Sequence, residues 1–188
     1  MICGVLLAAG ASRRMGRDKL ALPWRGTTVL AATLARWQAA RLDLLLLVRR
    51  PGAPDAPPGV QVVLNPDADE GMGSSLRRAV RALPVGTDAV VVGLADMPEV
   101  TTATLDLLVD AWRPCGPAGI VAPSHDGRRG HPVVFGAAHL PALALLGGDQ
   151  GARALLATGP VTLLPVADPG VLRDLDTPAD LEAAPCAC

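Results

Sequence analysis

Apolar runs alternating with stretches of helical spacing set the framework of this chain. Residues 2–8 are apolar at nearly every position, without alternation, which predicts a strand buried on both faces. Leu44–Val48 reads as a second buried strand, Val60–Leu64 as a third, short strand, and Asp88–Leu94 as a further strand. Between these runs the period changes. Val29, Leu30, Thr33, Leu34 and Trp37 share one helix face, with Thr27 and Thr28 as candidate caps. Leu76, Ala79, Val80 and Leu83 share a second face, and Leu105, Leu108, Val109 and Trp112 a third, in a helix predicted over 102–112. Further on, Ile120–Ala122 and Pro132–Phe135 read as strands on either side of a hairpin-like turn region, 124–130. Residues 140–146 look helical, 148–153 open another helix, and Val161–Val166 is a late strand. Thr177-Pro178-Ala179-Asp180 resembles a capping box with proline at the first helical position, opening a last short helix.

Strand–helix alternation through the first part of the chain predicts right-handed βαβ units and a mostly parallel sheet flanked by helices. Such sheets bind ligands beyond the carboxyl ends of their strands. Three unusual loops follow predicted strand ends, at 9–19, 65–75 and 95–98, and are expected to converge on one site.

Composition narrows the picture. A length of 188 residues suits one α/β domain over 1–188. Half the residues are hydrophobic while aromatics are only 2% with no Tyr, so the core is one of Leu, Val and Ala. A net charge of −1 argues against a nucleic-acid surface, which needs a basic excess. No apolar run is long enough to cross a membrane, and no basic segment precedes the first run, which reads as a strand and not a signal peptide. Cys3, Cys115, Cys186 and Cys188 lack disulfide or zinc spacing, and a reduced, cytoplasmic setting is expected.

The candidate chemistry starts in residues 5–24. The first strand opens into a loop of small residues (Ala9, Gly10, Ala11, Ser12, Gly16) carrying Arg13, Arg14, Arg17 and Lys19. Small residues let backbone N–H groups approach an anion, and the cations neutralise it. Lys19 is the only lysine in the chain. Arg14 and Lys19 suit a triphosphate and the charge that grows on a departing pyrophosphate. The spacing is neither G-x-x-x-x-G-K-[ST] nor G-x-G-x-x-G, so a P-loop and a dinucleotide site are both disfavoured. Asp96 directly follows the strand V-V-V-G-L. It can hold Mg²⁺ or cap the next helix, and position alone leaves both readings open. Asp176 is a candidate second metal carboxylate, or a cap of the last helix.

Leu7-Ala8-Ala9-Gly10, Arg14-Met15-Gly16 and Lys19 resemble the L-A-[AG]-G-x-S-x-R-M-G-x-x-K signature of nucleotidyltransferases of the MobA-like NTP transferase superfamily. Within these the chain most resembles the molybdenum-cofactor (molybdopterin) cytidylyltransferases. The further matching stretches are 71–76, 94–98, Gly130-His131-Pro132-Val133, 148–153 and 174–178. The resemblance implies a Rossmann-like fold of the nucleotide-diphospho-sugar transferase kind. It implies transfer of CMP from CTP to the terminal phosphate of the cofactor, with Mg²⁺ and release of pyrophosphate, and a recipient molybdoenzyme as a further partner. Carried over by residue, Leu7, Ala8, Ala9 and Gly10 would line the base and ribose, and Gly73 and Ser74 would meet the base. Arg14 and Lys19 would hold the triphosphate, Asp96 with Asp176 the metal, and His131 with Arg153 the acceptor. The resembling guanylyltransferases usually read L-A-G-G. A methyl at Ala9 is therefore expected to narrow the space over the loop and favour a pyrimidine. The alternatives are a guanylyltransferase acting on molybdopterin or another phosphorylated acceptor, and a non-catalytic cofactor carrier.

Overall fold

In chain order the elements are β1 (Ile2–Leu7), β2 (Pro23–Trp24), β3 (Thr27–Thr28), α1 (Val29–Gln38), β4 (Leu44–Arg49), β5 (Gln61–Leu64), α2 (Met72–Arg81) and β6 (Ala89–Leu94). Then come α3 (Thr102–Trp112), β7 (Ile120–His125), β8 (Arg128–Arg129), β9 (Val133–Gly136), α4 (Leu140–Leu143), α5 (Arg153–Thr158) and β10 (Val161–Pro165). The structure is a computed structural model and describes residues 1–10, 18–53, 56–148, 151–177 and 180.

The main sheet runs β10-β7-β9-β6-β1-β4-β5, with β8 paired to the end of β7. β6, β1, β4 and β5 are parallel to one another, as the alternation predicts, and β10 is parallel to β7. The exceptions are β8, antiparallel to β7, and β9, antiparallel to both β6 and β7. Asp126 and Gly127 adopt positive φ (49° and 72°) and reverse the chain after β7, which lets it return between two existing strands.

Unbroken apolar runs belong to strands covered on both sides. Leu6, Leu45, Leu47 and Val91 face α1 and α3 through Leu34, Trp37, Leu105 and Leu108. Their chain neighbours Val5, Leu46, Val48, Val90 and Val92 face α2 and α4 through Leu76, Ala79, Val80 and Leu143. The two outermost strands differ. Val62 and Leu64 of β5 and Leu163 of β10 stay exposed, because an edge strand has no neighbour beyond it. Gly93 sits in the central β6 because the ring of Trp37 crosses it; a Cβ there would lie 2.4 Å from that ring.

The helix expected over 140–146 is shorter, a 3₁₀ turn at Ala137–His139 followed by α4. The 148–153 start is realised from Arg153, with 149 and 150 outside the described residues. Thr177 N and Oγ1 both donate to Asp180 Oδ2, the backward bond of a capping box, although Pro178 and Ala179 lie outside the described residues. Among the described residues no helix is long and apolar enough to cross a membrane.

Candidate active site

The carboxyl edge of the parallel strands gathers the unusual loops. β1 ends at Leu7, whose carbonyl accepts from Ala95 N at 3.1 Å, and Ala8 N donates to Val48 O at 2.9 Å. The backbone after β1 is thus pinned to both flanking strands. Gly10 is exposed, with open space where a side chain would stand. Ala9 turns the other way: it is 3% exposed and its methyl packs in the core beside Val5, Val48 and Ala68. The methyl therefore does not narrow the space over the loop. That steric expectation is corrected, because the residue's alternation places it on the core face. Arg14 and the rest of 11–17 lie outside the described residues. Arg50, directly after β4, donates from Nε to Ala9 O at 2.8 Å and from Nη2 to Asp69 Oδ1 at 3.0 Å. It ties the first loop to the second.

Lys19 begins a 3₁₀ turn that Asp18 caps by accepting from Leu20 N at 3.0 Å. Its ammonium lies 2.5 Å from Asp96 Oδ2 and 2.7 Å from Asp176 Oδ1. Asp96 is fixed from two sides. Thr33 Oγ1 of α1 donates to Ala95 O at 2.9 Å, and Leu175 N donates to Asp96 O at 3.0 Å. Burial pushes the Asp96 carboxyl up from its ordinary range, and the Lys19 ammonium opposes that push. Burial would lower Lys19, but bonds to Asp176 and Asp96 outweigh it and hold the ammonium charged. Asp96 Oδ1 is buried and has no hydrogen-bond partner among the described residues.

The second loop is stiffened from inside. Buried Asn65 donates from Nδ2 to Ser74 Oγ and Ser75 Oγ, each at 2.9 Å, and its Oδ1 accepts from Asp67 N at 3.0 Å. Ser74 is 0% exposed, and its hydroxyl is directed at Asp67 O and Gly71 O. The Ser74 side chain thus shapes the loop from inside. Gly73 is required by a close approach: a Cβ there would lie 2.9 Å from the backbone of Gly147 and Gly148.

His131 follows β8. Its N–H donates to Val171 O at 2.8 Å, and its Nδ1 is buried without a partner among the described residues. Burial, then the Arg129 cation, hold the imidazole below its ordinary pKa. The charges of Asp174, Asp96 and Arg153 also reach it. Arg153 starts α5 and is exposed.

The sequence matches the MobA-like NTP transferase domain over residues 4–163. The chain belongs to this family. It is a nucleotidyltransferase, and its mixed, mostly parallel sheet is the expected fold. Among relatives it is 36% identical to the purine catabolism protein PucB of Bacillus subtilis, over 96% of this chain and 94% of that one. It is 34% identical to a nicotine blue oxidoreductase of Paenarthrobacter nicotinovorans, over 94% and 92%. It is 28% identical to the molybdenum cofactor cytidylyltransferase of Escherichia coli, over 96% and 93%. Among solved structures it resembles Rv0371c of Mycobacterium tuberculosis in complex with manganese, at TM-score 0.82 and 34% identity, over 97% of this chain and 99% of that one.

The structure brings Lys19, Asp96 and Asp176 into contact at one edge, and His131 stands two residues before β9, the strand beside β6. Arg50, Asn65, Asp174 and Arg129 are absent from the sequence-based site. Arg50 had one legible signal, a basic pair closing an apolar strand; Asn65 had another, its place before Pro66 at a strand end.

Proposed function

We propose that this enzyme transfers CMP from CTP to the terminal phosphate of the molybdenum cofactor (molybdopterin), releasing pyrophosphate. The observation that carries the reading is the cluster of Lys19, Asp96 and Asp176, one ammonium between two carboxylates at the edge where the loop after β1 opens. The acceptor is supported by the cytidylyltransferase relative and by the Gly130-His131-Pro132 and 148–153 stretches. The base is supported by the same relative, a cytidylyltransferase.

A divalent cation, Mg²⁺ or Mn²⁺, fits Asp96 and Asp176. One Asp96 oxygen is buried without a partner among the described residues, and the two carboxylates already converge on a cation. Both offer the hard oxygen that such ions take. When bound, the ion neutralises phosphate charge as a Lewis acid.

The nucleophile, a phosphate oxygen of the acceptor, is already anionic, so no strong general base is required. It attacks the α-phosphorus of CTP in line; the new P–O bond forms as the bond to the β-phosphate bridge breaks, and the electron pair leaves on pyrophosphate. The difficulty is bringing two anions together. Lys19 and Arg14 offset that repulsion and steady the leaving group. His131, neutral at pH 7, binds the acceptor together with Arg153.

Pyrophosphate release from each of the four nucleoside triphosphates, with and without molybdenum cofactor, tests this. Release with CTP only when cofactor is present is the expected result. Release with GTP instead would select the second reading, favoured by the 28% identity to a probable molybdenum cofactor guanylyltransferase of Mycobacterium avium. Binding of cofactor nucleotide without any pyrophosphate release would make the protein a carrier. In the expected case Asp96→Ala binds nucleotide and makes no pyrophosphate; full activity in that variant overturns the metal assignment.

A further inference from the structure

Lys19, Asp96 and Asp176 come from three separate stretches of chain, and those stretches meet a second time. Glu99, three residues after Asp96, accepts from Arg25 Nη2 on Oε1 at 2.9 Å and from Arg173 Nη1 on Oε2 at 3.1 Å. Arg25 lies on the stretch that Lys19 begins, and Arg173 on the stretch that ends in Asp176. The charge pattern is inverted between the two meeting points. At one, a cation sits between two carboxylates; at the other, a carboxylate sits between two cations.

The Glu99 side chain is 15% exposed, whereas those of Arg25 and Arg173 are 33% and 54% exposed, so the arginines reach in to a seated carboxylate. Its backbone is seated too. A Cβ on Gly170 would lie 2.5 Å from the Glu99 carbonyl carbon, so the last stretch lies directly on residue 99. Arg25 adopts φ 44°, in the left-handed region that a non-glycine residue seldom enters, and its guanidinium lies 5.1 Å from the Trp24 ring centroid. Its direction is therefore set by backbone, ring and Glu99 together. Partly exposed ion pairs add little to global stability. What this arrangement supplies is relative position: one carboxylate grips both neighbours of the stretch that carries Asp96.

We propose that Glu99 is a positioning residue of the catalytic centre, fixing the separation at which Lys19 and Asp176 face Asp96. The proposal rests on the metal role given above to Asp96 and Asp176. Partners that orient metal ligands typically change metal affinity about 10–100-fold when removed.

The test uses the full chain and Mn²⁺ alone, with free ion read by electron paramagnetic resonance and the thermal midpoint measured in parallel. Glu99→Gln is expected to weaken Mn²⁺ binding about tenfold while the midpoint moves by less than about 4 °C. Arg25→Gln and Arg173→Gln are each expected to reproduce part of the loss, and they stand in if Glu99→Gln does not fold. Asp96→Asn separates the two claims. Unchanged Mn²⁺ binding in Asp96→Asn overturns the metal site itself. Impaired binding in Asp96→Asn with wild-type binding in Glu99→Gln overturns only the positioning role. A loss of affinity in Glu99→Gln that merely follows a large drop in thermal midpoint overturns it as well.

Discussion

Lys19 carries more of this site than any other single side chain. It is the only lysine in the chain, and its ammonium is shared by carboxylates from two distant stretches. A compact, turnable ammonium can serve two carboxylates or a phosphate, where a planar guanidinium prefers one bidentate partner. Lys19→Met is expected to lower kcat for pyrophosphate release by about 10²–10³-fold with little change in the fold, the cost typical of one preorganised charge donor; steady-state kinetics with circular dichroism check this. Ala9 is the contrasting case. Its methyl is in the core, so Ala9→Gly is expected to cost about 1 kcal/mol of stability and to leave the CTP/GTP ratio of kcat/KM unmoved. Urea denaturation and kinetics with both nucleotides separate the two effects. A shifted ratio would restore the steric account of base choice.

The last stretch, 168–177, shows how an irregular element is made rigid. Asp168 is 9% exposed. It accepts from Thr101 N and Oγ1 at 2.9 Å and Thr104 Oγ1 at 2.6 Å, and from Gly170 N at 2.9 Å. It thereby joins the N-terminus of α3 to the stretch that ends in Asp176. Burial alone would raise its pKa, but the bonds from Thr104, Thr101 and Gly170 outweigh it and hold the carboxyl below the ordinary range. A depressed folded pKa means the ionised form is favoured by folding. Its contribution is complete above about pH 4 and fades as pH falls through the folded pKa. Asp168→Ala is expected to cost about 2–3 kcal/mol at pH 7, leaving several donors without an acceptor. The difference from wild type, measured by urea denaturation, should shrink below about pH 4. Gly130 makes the same stretch fit: a Cβ there would meet Val171 O at 2.2 Å.

The whole molecule completes its site by bringing the end of the chain back to the middle. Residues 1–166 contain the entire sheet, yet Asp176 and the Leu175 contact to Asp96 come after it. A chain ending at residue 167 is expected to lose Mn²⁺ binding and pyrophosphate release. It should also be less stable by several kcal/mol, because fully buried Val171 and the Asp168 bonds go with the missing stretch. Titration with Mn²⁺ and a thermal melt of the shortened chain check both losses.

Periodicity alone determined the elements that sit in the core. Residues 2–8, 44–48 and 88–94 are apolar on both sides of the strand because both sides are covered, and the helix faces repeat every three to four residues because only one side is. The loops at strand ends were legible for a related reason: in a parallel sheet all of them must open at the same edge. Lys19, Asp96 and Asp176 were accordingly readable as candidates, each standing in its own motif. Their contact was not readable, since residues 19 and 176 are brought within 2.7 Å by packing, and no local pattern encodes that distance. The insertion of β9 between β6 and β7, the inward turn of the Ala9 methyl, the burial of Ser74 and the seating of Glu99 share this origin. Each depends on which neighbour occupies the adjacent space, and only the assembled tertiary structure decides that.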